Sequence, residues 1–192
     1  MRRVVKVGGS LLLRPNLKDQ LDRWIGSQSP AENLLIVGGG NLVEAVRELD
    51  AVHSLDSEEI HWLCVELLES THRMVQQLSP AWKTVSTTIQ FRGGVERGFS
   101  RDQTTLISVA SFYHRYCGAS LPEDWRTTTD AIAAYLAVCV NADELVMLKS
   151  CDVDPGRTLD QLIDDGVVDK ATRLIAPHVR HIRVQCLPTD GS

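Results

Sequence analysis

Two glycine-rich stretches and two lysines carry the chemistry this sequence offers. Lys6-Val7-Gly8-Gly9-Ser10 closes one short apolar run, and Val37-Gly38-Gly39-Gly40-Asn41 closes another. Glycines at the carboxyl end of a strand let backbone N–H groups approach a phosphate closely, and a following helix adds a favourable dipole. Two such loops suit two groups of phosphates, a donor and an acceptor. Lys149 ends a late strand, so with Lys6 it supplies two cations from separate strand ends. Phosphoryl transfer needs positive charge around the moving group and little covalent chemistry from the protein. A carboxylate such as Asp130 would hold the two ammonium groups apart. The common nucleotide motifs are absent: there is no Gly-x-x-x-x-Gly-Lys-Ser/Thr, and Gly-x-Gly-x-x-Gly follows neither strand.

Alternating strands and helices must position these groups. Residues 4–7 form a β-branched run that reads as a buried strand. Leu17, Leu21, Trp24 and Ile25 follow at helical spacing, with Pro15 before them and Gly26 able to close the helix. Residues 34–37 read as a second strand, after which Asn41 can cap a helix carrying Leu42, Val43, Val46 and Leu49. The longest helical pattern covers residues 57–78 and ends at Pro80. Ser57 can cap it, with Ile60, Leu63, Cys64, Leu67, Leu68 and Val75 facing inward. Between residues 82 and 122 the pattern weakens. Residues 85–91 fit a strand, Arg92-Gly93-Gly94 a turn, and residues 105–112 either a strand or a helix. Thr129 or Asp130 opens a further helix, residues 144–148 a strand, 159–163 and 170–175 two short helices, 182–186 a last strand, and 189–192 a frayed tail. The alternation implies a single three-layer α/β/α sandwich with a mostly parallel central sheet.

Composition agrees with one soluble domain. The chain has 192 residues, 43% hydrophobic and 23% charged. A net charge of -5 argues against a nucleic-acid partner met through a broad basic surface. No apolar run is long enough for a membrane span, and no signal peptide is evident. The five cysteines are widely spaced without Cys-x-x-Cys, which suits buried thiols in a reducing cytoplasm. His178 and His181 have no third metal ligand nearby, and Cys151-Asp152 has no histidine partner, so neither pair reads as a reactive centre.

Four blocks resemble the signatures of the amino-acid-kinase superfamily: residues 6–11 (Lys-Val-Gly-Gly-Ser-Leu), 37–42 (Val-Gly-Gly-Gly-Asn-Leu), 127–134 (Thr-Thr-Thr-Asp-Ala-Ile-Ala-Ala) and 141–154, which contains Leu148-Lys149-Ser150-Cys151-Asp152-Val153-Asp154. The superfamily includes acetylglutamate kinase, aspartokinase and bacterial uridylate kinase. The short length, His61-Trp62 and Leu121-Pro122-Glu123-Asp124-Trp125 resemble its small branch associated with methanofuran and methanopterin genes, the aminomethylfuranylmethyl phosphate kinases. The resemblance implies an ATP-dependent kinase with Mg2+, a small-molecule acceptor, and a homodimer or higher homo-oligomer. It implies that Lys6 contacts the transferred phosphoryl group, with Gly8, Gly9 and Ser10 as the donor-side loop. Gly38, Gly39, Gly40 and Asn41 would hold the acceptor, with Asp56 and His61 near it. Asp130 would orient the lysines, and Lys149 would face the nucleotide phosphates. Thr128, Thr129, Ser150, Asp152 and Asp154 would border the nucleotide. The acceptor-side half would cover about residues 1–125 and a shortened nucleotide-side half about 126–192.

The sequence departs from the family pattern in places. Ala131 stands where relatives often carry Ser, which would cost nucleotide contacts. No Gly-Gly-Met-x-x-Lys block is present near the C-terminus. The nearest segment, residues 165–170, offers Lys170, which reads as a surface lysine. The alternative reading is therefore a non-catalytic kinase-fold protein that binds nucleotide or oxyanion.

Overall fold

The computed structural model describes residues 1–189, so all but the first residue of the expected frayed tail lies outside the described residues. Six strands form one sheet: β1 (Arg2–Val7), β2 (Glu32–Val37), β3 (Lys83–Val85), β4 (Thr105–Ile107), β5 (Glu144–Lys149) and β6 (Ile182–Cys186). Their spatial order is β3-β4-β2-β1-β5-β6, and every neighbouring pair is parallel. The connecting helices are α1 (Leu17–Ser27), α2 (Asn41–His53), α3 (Ser57–Leu78), α4 (Thr88–Arg97), α5 (Thr129–Cys139), α6 (Leu159–Asp164) and α7 (Thr172–Ile175). The expected α/β/α architecture is present.

The central strands are apolar over most of their length because both faces of the sheet are covered. Val4, Leu34, Ile36, Leu145 and Met147 face a core shared with Trp62, Val65 and Leu68 of α3, Phe91 of α4 and most of α5. Val5, Val7, Leu35, Val37, Val146 and Leu148 face the opposite core, closed by Leu11 and by Leu17, Leu21 and Trp24 of α1. Strand side chains alternate between faces. Lys6 therefore shares the face of Val4, and Lys149 that of Leu145 and Met147. Both lysines point to the side where α5 lies.

The chain starts at β1, builds outward through β2, and returns on the far side of β1 as β5. The carboxyl ends of β1 and β5 are thus the topological switch point, where open α/β sheets bind their ligands. Lys6 pairs in register with Met147, so Lys6 and Lys149 end adjacent strands two residues apart in register. At the opposite end of the sheet the buried Arg3 ties three strands together. Its Nε donates to Glu144 at 2.6 Å and its Nη1 to Asn33 at 3.0 Å.

Several local expectations are corrected. Residues 85–91 are not a strand: β3 stops at Val85 and α4 starts at Thr88. Thr87 and Gln90 form a reciprocal capping box, which starts a helix despite the β-branched residues around it. Arg92-Gly93-Gly94 lies inside that helix. Residues 105–107 are strand β4, followed by a 3₁₀ turn at Val109–Ser111. Gly40, not Asn41, precedes the first turn of α2, and no side chain caps it. Asp56, not Ser57, caps α3 by accepting from the Glu59 N–H at 3.0 Å. Leu63 is exposed rather than inward, and α2 buries no residue. The last short helix begins at Thr172, leaving residues 170 and 171 outside it.

The two glycine loops touch each other backbone to backbone. A Cβ on Gly9 would lie 2.2 Å from the Gly40 nitrogen, and Gly40 itself holds φ at +55°. No side chain fits at Gly9, and only glycine takes the Gly40 conformation without strain. The Gly9→Ala variant is expected to lose at least about 1–3 kcal/mol of stability through this overlap, read as a lower midpoint in urea unfolding.

Candidate active site

A cleft of about 500 Å³ opens at the switch point. Lys6, Gly8, Gly9 and Ser10 line it from the first loop. Gly38, Gly39, Gly40 and Asn41 line it from the second. Thr128, Thr129 and Asp130 enter from the first turn of α5, and Lys149 and Ser150 from the end of β5. His61 lines it from α3. The fold thus gathers most of the residues singled out from sequence around one space.

At its centre Asp130 sits between the two lysines. Lys6 Nζ lies 2.9 Å from Oδ1 and Lys149 Nζ 2.6 Å from Oδ2. All three side chains are almost wholly buried. Burial opposes ionisation of Asp130, but the two ammonium groups outweigh it and hold the carboxyl down to about 2. Burial pushes the Lys149 ammonium below the ordinary lysine range, and the charge of Lys6 adds to that effect. Asp130 and Asp169 oppose it. Within this cluster one carboxylate stands against two ammoniums, a local excess of positive charge that suits phosphate oxygens.

The loops supply the remaining donors. The Gly8 N–H is committed to the Leu148 carbonyl at 2.9 Å, stitching the first loop to β5. Ser10 Oγ and Ser150 Oγ meet at 2.7 Å across the same seam. The Thr128 hydroxyl donates to Asp169 at 2.8 Å, so its proton is not free for a phosphate oxygen. Ala131 is fully buried and does not line the cleft. Asp56, Asp152 and Asp154 do not line the cleft. Asp56 caps α3, Asp152 is exposed, and Asp154 accepts from the Gly156 N–H at 2.8 Å to close a turn. Lys170 is exposed and also lies outside it.

The acceptor-side wall contains residues that sequence reasoning did not assign. Arg47 of α2 lies 4.3 Å over the Trp125 ring and pairs with Glu44 at 3.2 Å. Trp125 Nε1 donates to Asp50 at 2.6 Å, and Trp62 Nε1 donates to Glu123 at 2.6 Å. These two bonds fasten the irregular segment before α5 onto α2 and α3. Arg47, Glu44, Asp124 and Trp125 all line the cleft. Arg47 follows the glycine loop by less than two helical turns, which is the signal that could have found it. His61 Nε2 and the Tyr113 hydroxyl are 2.9 Å apart. Burial lowers the His61 pKa, favouring the neutral ring. Burial pushes the Cys64 thiol up to about 11, so this cleft cysteine is no thiolate nucleophile.

Among the described residues, no group of three or more His, Cys, Asp or Glu gathers to hold a metal ion. The cleft nevertheless fits magnesium carried in by a nucleotide, since that ion is held chiefly by phosphate oxygens and water.

A parallel α/β sheet with paired lysines and two glycine loops at its switch point defines a phosphotransferase for small molecules. Residues 1–155 match the amino acid kinase family, and the chain belongs to it. Similar solved structures are two UMP kinases and a uridylate kinase. The enzyme from Ureaplasma parvum is 14% identical with a TM-score of 0.66, the match covering 97% of this chain and 90% of that one. For the Bacillus anthracis enzyme the values are 13%, 0.66, 99% and 88%. For the Archaeoglobus fulgidus enzyme they are 16%, 0.62, 98% and 91%. No curated protein matches the chain by sequence.

Removing the central charge tests this geometry. Asp130→Asn would leave two buried ammonium groups without their counter-ion, at a cost of about 3–5 kcal/mol, measured by denaturant unfolding at neutral pH. Because the Asp130 pKa is depressed, its stabilisation is present above the usual 3.8 and is lost as pH falls towards about 2. The stability difference between the wild type and the variant should therefore shrink across that window.

Proposed function

We propose that this protein is an ATP-dependent kinase that transfers the γ-phosphoryl group to a small acceptor, itself a phosphate monoester. The observation that carries this reading is the Lys6–Asp130–Lys149 cluster, set where two glycine loops meet. In the proposed reaction an acceptor oxygen attacks the γ-phosphorus. The bond to the β,γ-bridging oxygen breaks, and ADP leaves with that oxygen. Lys6 neutralises charge on the moving group, and Lys149 does so on the nucleotide side. Gly9 and Ser10 of the first loop, with Thr129 at the start of α5, border the donor. Gly38, Gly39, Gly40 and Asn41, with Arg47, hold the acceptor's anionic end. Magnesium, bound with the nucleotide, supplies further neutralisation of its phosphates. A phosphate monoester attacks through an oxygen that is already anionic, so the absence of an obvious general base is no obstacle.

The acceptor preferred on the resemblance of Leu121-Pro122-Glu123-Asp124-Trp125 and His61-Trp62 is aminomethylfuranylmethyl phosphate, which would place the enzyme in one-carbon cofactor biosynthesis. UMP is the alternative acceptor suggested by the structural neighbours. The proposed division is an acceptor-side half at about 1–125 and a nucleotide-side half at about 126–192. The Lys6–Asp130–Lys149 cluster is intact, which favours catalysis over simple oxyanion storage. The proposed compartment is the cytoplasm, supported by five free thiols, one of them exposed. No described helix is long and apolar enough to cross a membrane.

The decisive experiment offers the purified protein Mg-ATP with aminomethylfuranylmethyl phosphate, UMP, acetylglutamate, aspartate and isopentenyl phosphate in turn, and measures ADP. Acceptor-dependent ADP release is expected with a phosphate monoester. Lys6→Ala should reduce it at least about 100-fold with an unchanged circular-dichroism spectrum. ATP binding without turnover on any acceptor would favour the storage reading.

The proposed homodimer would use α2 and α3. Leu49 and Val52 of α2, with Leu63, Met74 and Leu78 of α3, are exposed apolar side chains on helices that pack together. Such exposure is costly for a monomer. Light scattering is expected to give twice the chain mass, and Leu63→Glu to return it to the monomer value.

A further inference from the structure

The expected lysine of the 165–170 segment lies outside the cleft, but its neighbour points inward. Asp169 precedes α7, and its carboxylate accepts five hydrogen bonds. Oδ2 takes the Thr128 N–H at 2.8 Å, the Thr128 hydroxyl at 2.8 Å and the Ala131 N–H at 3.0 Å. Oδ1 takes the Thr172 N–H at 2.9 Å and its hydroxyl at 2.7 Å. One side chain therefore satisfies the starts of two helices that are far apart in sequence.

The consequence for α5 is specific. Thr128 precedes the helix but does not cap it with its own side chain. Asp169 supplies that cap from 38 to 41 residues away. Asp130 is the second residue of α5, directly between the clamped Thr128 and Ala131. Its carboxylate must meet two lysines from two different strands. A small rotation of that first turn would break one ion pair or the other.

We infer that Asp169 is a positioning residue of the phosphoryl-transfer centre, clamping the first turn of α5 so that Asp130 stands between Lys6 and Lys149. This rests on reading the cleft as a kinase site. Asp169 touches neither lysine within ion-pair distance and acts through α5. Its negative charge also supports protonated Lys149, alongside Asp130 and against Lys6. Those three are the charged groups that bear on the Lys149 ammonium. Burial and the charge of Asp130 make ionised Asp169 costly, and the five donors oppose that cost.

The test replaces the charge and keeps the shape. Asp169→Asn turns an NH2 group towards donors on one side of the side chain. With an acceptor that supports turnover, kcat is expected to fall about 10–100-fold, as when a catalytic group is displaced by a fraction of an ångström to an ångström. The acceptor KM should stay within about twofold. Thr87→Val, at the capping box of α4 and away from the cleft, serves as the structural control. It removes only the hydroxyl that accepts from the Gln90 N–H, so it should lower stability and leave kcat unchanged. An activity-independent reading follows Lys149 acetylation by acetic anhydride against pH, using mass spectrometry. In Asp169→Asn the Lys149 titration should move to lower pH than in the wild type. Unchanged kcat and an unchanged Lys149 titration would overturn the inference. So would a kcat loss no greater than that of Thr87→Val at equal destabilisation. If Asp169→Asn does not fold, Thr128→Val removes one arm of the clamp and should still lower kcat several-fold. Retained kcat there would equally overturn it. Should the wild type turn over no acceptor, the kinase reading fails by itself, and the Lys149 titration still decides the role of Asp169.

Discussion

A buried carboxylate between two buried ammonium groups is the constraint around which this fold is arranged. Taking three charges out of water is expensive, and only close, simultaneous pairing makes it tolerable. Asp130 meets Lys6 and Lys149 at 2.9 and 2.6 Å, on a helix, on β1 and on β5 respectively. That triple contact requires β1 and β5 to be neighbours with fixed register. It also requires α5 to lie across their carboxyl ends with its first turn facing inward. The apolar strand runs and the small-residue face of α5 achieve this. Ala131, Ala133, Ala134 and Ala137 are all buried, which lets the helix sit close on the sheet.

Much of this arrangement was legible in the sequence. Strands β1, β2 and β5 are mostly apolar runs, because a parallel sheet buries both faces. The long helix α3 declares itself through periodicity over 22 residues. Lys6, Asp130 and Lys149 could be grouped because strand ends and helix starts meet at one edge of such a sheet. The region from 82 to 128 resisted reading for a physical reason. Strands β3 and β4 have three residues each, too few to show alternation. Helix α4 is begun by a capping box that sits among β-branched residues, so local propensity pointed the wrong way. Residues 114–128 have almost no periodicity because they form an irregular strap held by side-chain bonds from Trp62 and Trp125. Asp56 misled because an aspartate before a helix looks alike whether it caps or binds. Asp169 was passed over for Lys170, since only the tertiary structure tells which of two adjacent side chains turns inward.

The outer surface of α2 follows from its other duty. Its start is the second glycine loop, its Arg47 lines the cleft, and its Asp50 holds Trp125. A helix committed to the site along one side has little left with which to build a core. The fold leaves its apolar residues facing outward instead, beside those of α3.

The contact between the glycine loops has a consequence for diversity of substrate. With Gly9 against Gly40, the two loops under the cleft are one closely packed piece of backbone. Neither half of that floor can take on a side chain or change its path without pushing the other. New acceptors therefore cannot be accommodated by remodelling the floor. They have to be recognised by the walls, meaning the side chains of α2 and the strap that carries Trp125. Such a scaffold separates the part that performs the transfer from the part that chooses what receives it.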